Sequence, residues 1–141
     1  MKQNSSKSNK IILSYTVPYA DTDQMRVVYY ANYFVYFERL RNKLIRKSGK
    51  TYLEVEKDGL AFPVIEAHCD YLKPAEYDDE LSITGWLSWA EGSRFQVDYE
   101  IFRNDDMLAS GYTIHLVINE NKRPRRVPAE MLTLLDPSGS D

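Results

Sequence analysis

The chain has 141 residues, with 18 basic and 21 acidic side chains and a formal net charge of −3. This length favours one domain with its own core, and the acidic balance disfavours general nucleic-acid binding, which needs a basic surface. The apolar runs are shorter than the ~20 residues of a membrane span, and the single cysteine, Cys69, excludes an intrachain disulfide. We therefore predict a cytoplasmic protein, without a metal site because histidine and cysteine are scarce.

The first half of the chain predicts one strand followed by one long helix. Apolar and polar residues alternate over residues 11–19, which indicates a short strand. After a polar connection, apolar residues recur at helical spacing over roughly residues 32–48. We expect Asn32 to cap the helix start with its side chain, and Gly49 to close the helix in the left-handed conformation.

Beyond Gly59 the apolar period changes to two, which indicates strands joined by short turns. The expected strands are residues 62–71, 81–89, 95–101 and 108–116. A short helix or irregular turn is expected at 50–59, and a short last helix at 128–135. Because the connections between these strands are short, neighbouring strands should be antiparallel.

These elements predict an α+β domain in which one helix packs on the apolar face of an antiparallel sheet. We place this single domain at residues 11–135, with disordered tails at 1–10 and 136–141, where the sequence is polar and aperiodic. Aromatic residues make up 13% of the chain, which is more than one helix can cover. Oligomerisation is the simplest way to bury the remainder.

Asp21-Thr22-Asp23, between the first strand and the helix, is the first candidate site. One interpretation is an Asx-type turn, in which a carboxylate accepts a bond from its own downstream backbone. The other is a general base or nucleophile, since a carboxylate near a helix start faces any substrate held there. The first amides of that helix, near Tyr30, have no intrahelical partner and can hold a developing oxyanion.

Four basic residues stand in five positions at Lys122-Arg123-Pro124-Arg125-Arg126. A solvated tail is one interpretation. A phosphate contact is the other, because arginine forms charge-assisted and often bidentate bonds with phosphate oxygens. A nucleotide-bearing small molecule fits the acidic chain better than a nucleic acid. His68 and His115 fall on predicted strands and are expected to be structural, and Cys69 is expected to be a small core residue.

Residues 15–38, YTVPYADTDQMRVVYYANYFVYFE, resemble the start of the 4-hydroxybenzoyl-CoA thioesterase family. They are most similar to its bacterial acyl-CoA thioesterase branch associated with the Tol-Pal system. The similarity covers roughly residues 12–130 and extends, in the same order, through residues 70–81, 92–101, 110–118 and 122–128.

This resemblance implies a hotdog fold, a curved antiparallel sheet of about five strands wrapped around one long central helix. It implies a homodimer, commonly paired into a homotetramer, with active sites at subunit interfaces and no cofactor. The family's catalytic aspartate falls on Asp23, as nucleophile or as base for water. The amide that polarises the thioester carbonyl falls on Tyr30, and Arg123, Arg125 and Arg126 would lie near the CoA phosphates.

Two departures from the family pattern affect the expected site. The family often has glycine where this chain has Arg26, whose side chain would reshape the turn, gate the pocket or reach a substrate phosphate. Some close relatives have histidine at the position of Tyr30, so a mechanism that needs that imidazole is excluded here.

The resemblance implies hydrolysis of an acyl-CoA thioester to a free acid and CoA. Tyr33, Phe34 and Phe37 are candidates to line an apolar acyl slot, and core packing is an equally good interpretation of them. An acyl carrier protein thioester is a second candidate substrate. A dehydratase or isomerase is a different candidate function, but it would need a histidine before the helix. A non-catalytic acyl-binding or scaffold protein is the third candidate function.

Overall fold

The computed structural model describes residues 3–4 and 9–135. The strands are β1 Gln3–Asn4, β2 Ile11–Thr16, β3 Leu60–Ala61, β4 Val64–Tyr71, β5 Glu80–Glu91, β6 Arg94–Arg103, β7 Asp106–Leu116 and β8 Ile118–Asn119. The helices are α1 Asn32–Lys47, α2 Tyr52–Lys57 and α3 Ala129–Leu132, with a 3-10 turn at Tyr19–Asp21. Disordered tails were predicted at 1–10 and 136–141, and of these residues 1–2, 5–8 and 136–141 lie outside the described residues. Gln3–Asn4 differ from the prediction, because they pair with β5 as strand β1.

One antiparallel sheet has the strand order β1-β5-β6-β7-β4, and β2 also pairs with β5. The short strands β3 and β8 form a separate two-stranded ladder. The predicted α+β fold is therefore confirmed, with α1 as the long helix on the sheet. The first strand ends at Thr16 rather than at residue 19, because Pro18 has no amide to donate to the ladder.

Helix α1 packs on the sheet through apolar side chains at helical spacing. Its buried residues are Tyr33, Tyr36, Phe37, Leu40, Leu44 and Ile45. Two glycines of the sheet admit the helix, because a Cβ on Gly85 would overlap Leu40 and one on Gly111 would overlap Phe37. The Phe37 ring stacks on Tyr99 with ring centroids 4.2 Å apart. These contacts of Phe37 and Leu40 fix the position of α1 relative to the sheet.

A directed chain of hydrogen bonds crosses the core from α1 to the loop after β3. The Arg41 guanidinium donates to the Tyr99 hydroxyl over 3.1 Å, and that hydroxyl lies 2.6 Å from the Thr113 hydroxyl. Thr113 lies 2.8 Å from Nε2 of His115, whose Nδ1 is 2.9 Å from the Phe62 carbonyl. Because a carbonyl only accepts, Nδ1 of His115 carries a proton and donates to Phe62. Burial lowers the pKa of His115 to about 4, so at neutral pH the ring is neutral and Nε2 accepts from the Thr113 hydroxyl. His115 is structural, as predicted.

The buried His115 makes the stability of the fold depend on pH. Burial, together with the Arg41 charge, lowers the pKa of His115 to about 4, whereas an unfolded histidine titrates near 6.5. The unfolded state therefore binds the proton more tightly. We expect the free energy of unfolding to fall as the pH drops from about 6.5 to about 4, by up to about 3 kcal/mol.

Urea denaturation at a series of pH values measures this effect. His115→Asn carries no titrating group and should lack that part of the decline. His68→Asn is the matched control, because His68 is the other histidine of the chain and is exposed, and this variant should keep the decline. Equal pH dependences for wild type and His115→Asn would contradict the assignment.

Candidate active site

The aspartate segment folds into a tight hairpin just before α1. Thr22 pairs with Val28, and the Asp23 amide donates to the Val27 carbonyl over 2.9 Å. The Asp23 side chain is exposed, and its Oδ1 accepts a bond from the Met25 amide at 2.8 Å. That contact is an Asx-type turn. Within the described residues the other carboxylate oxygen of Asp23, Oδ2, accepts no hydrogen bond.

Arg26 occupies the left-handed position of this hairpin, with a φ of 65°. Glycine adopts that conformation without strain, which accounts for the glycine that the related family often has there. The guanidinium lies over the ring of Tyr77, 5.6 Å from its centroid, and the Arg26 carbonyl accepts a bond from the Tyr77 amide. The turn therefore keeps the backbone conformation that glycine would adopt.

The free energy of unfolding should depend on how easily the residue at position 26 adopts a positive φ. Arg26→Val should lower the free energy of unfolding by about 1–2 kcal/mol relative to Arg26→Gly, because a β-branched residue is strained at positive φ. Chemical denaturation of the two variants measures the difference. Equal stabilities would mean that the hairpin adopts another conformation at this position.

The start of α1 differs from the prediction in its capping. The N-cap is Ala31, already in helical conformation, and no side chain caps the helix. Asn32, which we expected to be the cap, is the first helical residue, and its side-chain amide donates to the Asp21 carbonyl over 2.9 Å. The capping prediction was wrong because the Asn32 side chain bonds to the preceding loop and not to the amides of the helix.

Tyr30 lies directly before the N-cap. Its ring is exposed, and its carbonyl accepts a bond from the Tyr71 hydroxyl at 3.0 Å. Its amide makes no hydrogen bond within residues 9–135. An unpaired amide at the positive end of a helix dipole can stabilise a negatively charged oxygen.

An apolar cleft of about 270 Å³ opens beside the helix start. It is lined by Val28, Tyr30, Tyr33, Tyr71, Leu72, Lys73 and Pro74. Tyr33 and Tyr71 meet edge to face with centroids 5.0 Å apart, and the Tyr33 hydroxyl accepts a bond from the Ala75 amide. Both rings are thereby fixed in place. Burial raises the pKa of Tyr71 to about 12, so its hydroxyl is protonated at neutral pH.

The structure brings only part of the predicted site together. Tyr30 and Tyr33 line the cleft, whereas Asp23 lies on the neighbouring hairpin, which reaches the cleft through Val28. Phe37 packs in the core, and Phe34 packs edge to face against it. The wall formed by residues 71–74 was missed. The sequence feature that could have indicated this wall is an aromatic residue at the end of a strand, Tyr71, followed by Leu72.

The basic segment lies far from the cleft within one chain. It forms a hairpin turn in which the Asn119 side chain accepts bonds from two turn amides, and its arginines are exposed. The cleft residue Leu72 bonds to Leu108 at the beginning of β7, whereas Arg125 bonds to Val117 just beyond its end. At ~3.3 Å per residue, roughly 30 Å separate these two points.

Strand β4 forms one edge of the sheet and is exposed along most of its length. Val64, Ile65, Tyr71 and Leu72 are large apolar side chains exposed on or beside it. Cys69 is half-buried there, and burial raises the pKa of its thiol to about 11. An exposed apolar edge strand of this kind can pair with another strand.

Residues 25–110 match the family model described as thioesterase superfamily. An acyl-CoA thioesterase, YbgC of Haemophilus influenzae, is 35% identical over 94 residues, which cover 66% of this chain and 69% of that protein. A 1,4-dihydroxy-2-naphthoyl-CoA hydrolase of Thermosynechococcus vestitus is 31% identical, over 80% of this chain and 78% of that protein. A crystal structure of an Aquifex aeolicus protein superposes with a TM-score of 0.84 at 30% identity, and covers 89% of this chain and 99% of that one.

The chain belongs to the thioesterase superfamily. It has the hotdog fold, and it is an enzyme that hydrolyses thioesters. Among the described residues, no helix is both long and apolar enough to cross a membrane.

Proposed function

We propose that the chain hydrolyses acyl-CoA thioesters to a free acid and CoA, with the reaction at Asp23 and Tyr30. The observation that carries this proposal is the unpaired Tyr30 amide at the positive end of α1, beside an apolar cleft. Two curated relatives named as acyl-CoA hydrolases support CoA as the carrier of the acyl group. Membership of the narrower Tol-Pal-associated branch of the family remains a prediction.

In the proposed reaction the thioester carbonyl oxygen points at the Tyr30 amide, which stabilises the negative charge that develops on it. The acyl group occupies the cleft against Tyr33 and Tyr71. Asp23 acts in one of two ways. Either its carboxylate attacks the carbonyl carbon and expels the CoA thiolate, leaving an anhydride that water hydrolyses, or it removes a proton from a water that attacks the carbonyl carbon. In the second route the C–S bond then breaks and the proton passes from Asp23 to the departing CoA thiolate.

We propose that two copies pair through the edges of their β4 strands. Antiparallel pairing about a two-fold axis places the beginning of one β4 beside the end of the other. The beginning of β4 lies at the same end of the sheet as the basic hairpin, and its end lies at the cleft. The dimer would thus bring Arg123, Arg125 and Arg126 of one copy towards the cleft of the other, where they would contact the CoA phosphates.

A thiol-release assay on a panel of substrates tests the proposed function. The panel contains aliphatic and aromatic acyl-CoAs, the matching acyl-pantetheines without the nucleotide phosphates, and acyl carrier protein thioesters. We expect release of CoA, with a higher KM for the pantetheines because they lack the phosphates. If the folded protein released thiol only from carrier-protein thioesters, or from none of the panel, the proposal would be wrong.

A further inference from the structure

Asp21 lies two residues before Asp23 and joins two separate elements of the fold. Its carboxylate oxygen Oδ2 accepts hydrogen bonds from the hydroxyls of Tyr15, at 2.7 Å, and Tyr36, at 2.8 Å. Tyr15 belongs to β2, and Tyr36 belongs to the buried face of α1. One carboxylate oxygen therefore ties the first long strand to the central helix.

The backbone of Asp21 holds the start of α1. Its carbonyl accepts bonds from the Tyr29 amide, at 3.0 Å, and from the Asn32 side-chain amide, at 2.9 Å. These two donors flank Tyr30 in the sequence. The residue that begins the Asp23 hairpin thus also fixes the backbone on both sides of the Tyr30 amide.

The charges around Asp21 favour this arrangement. Burial raises the pKa of Tyr15 and of Tyr36, and the hydrogen bond to the Asp21 carboxylate raises each further, so both hydroxyls stay protonated and donate. The Arg39 guanidinium lies over the Tyr15 ring, 5.2 Å from its centroid. Hydrogen bonds to a carboxylate are roughly twice as strong as neutral ones.

We propose that Asp21 is a positioning residue of the hydrolase, which holds the Asp23 hairpin and the Tyr30 amide in a fixed relation without touching the substrate. This inference rests on the proposed function. Its physical basis is that a displacement of ~1 Å in a reacting group can cost about 100-fold in rate. The Asp21 carboxylate anchors this residue to Tyr15 of β2 and Tyr36 of α1. Its carbonyl holds the backbone around Tyr30. Loss of the carboxylate therefore releases the start of the hairpin, together with these backbone contacts, from its anchor on β2 and α1.

Kinetics of Asp21→Ala test the positioning role. We expect kcat to fall about 30- to 100-fold, with KM changed less than threefold. In an Asp23→Asn background the same change should lower the residual turnover by a clearly smaller factor than in wild type, because one of the two groups that it positions is already lost. Full additivity of the two substitutions would overturn the proposal.

Conservative variants separate positioning from general stability. Tyr15→Phe with Tyr36→Phe removes the two hydroxyls and keeps the rings, and we expect at least a tenfold loss of kcat below the unfolding temperature. The matched control is Tyr112→Phe, which removes a hydroxyl that also donates to a carboxylate, that of Glu66 on β4. An equal loss of kcat in the control, or a lowered unfolding temperature with unchanged kcat, would overturn the role.

The mobility of the hairpin can be measured without an activity assay. NMR amide order parameters of residues 22–28 should fall in Asp21→Ala, whereas those of β5 and β6 should not change. Order parameters that remain at wild-type values would overturn the inference. A different outcome would refute only the proposed function. In that outcome the hairpin loosens in Asp21→Ala, but the wild-type protein does not hydrolyse thioesters.

Discussion

Tyr30→Pro should lower kcat for thioester hydrolysis by about 100- to 1,000-fold, because proline has no amide hydrogen to donate to the oxyanion. The loss of one such donor typically costs ~2.7–4 kcal/mol of transition-state stabilisation. Tyr30 precedes the N-cap, and its amide makes no hydrogen bond within residues 9–135, so proline breaks no helix bond there. The measurement is steady-state kcat on the preferred substrate.

Tyr30→Ala is the matched control for this substitution. It removes the same exposed ring and keeps the backbone amide, so its kcat should stay within about tenfold of wild type. Circular dichroism and the unfolding temperature show whether α1 remains intact in both variants. Equal losses of kcat in Tyr30→Pro and Tyr30→Ala would mean that the side chain, and not the amide, matters.

The local elements were predictable because their signals are local. The helix predicted at 32–48 is observed at Asn32–Lys47. Its apolar side chains recur at helical spacing, so they form a single face that packs on the sheet. The Asn32 cap was not predictable in the same way. A side-chain amide near a helix start can bond either to helix amides or to the preceding loop, and the partner in the loop, the Asp21 carbonyl, is placed by tertiary structure.

The cleft could be predicted only in part, because its two walls come from segments distant in sequence. The place of Tyr30 and Tyr33 in the cleft was predictable, because both lie at the start of the predicted helix. Tyr71 reaches them because β4 pairs with β7 in a register that no local pattern specifies. The basic hairpin shows the same limit, since the sequence indicates its charge but not that it lies at the opposite end of β7.

Asp23→Asn tests the proposed role of Asp23 in the reaction. The asparagine oxygen can still accept the bond from the Met25 amide, so the hairpin should keep its shape. An amide is neither a useful base nor a nucleophile, and loss of such a group typically costs about 10²–10⁴ in rate. Asp105→Asn is the matched control, because it changes another exposed aspartate, in the turn between β6 and β7.

The most direct measurement is therefore kcat for thiol release from the preferred acyl-CoA by wild type, Asp23→Asn and Asp105→Asn, at equal concentrations of folded protein. We expect turnover by wild type and by Asp105→Asn, and a loss of at least ~100-fold in Asp23→Asn. Hydrolysis by Asp23→Asn at the wild-type rate would mean that Asp23 does not act in the reaction.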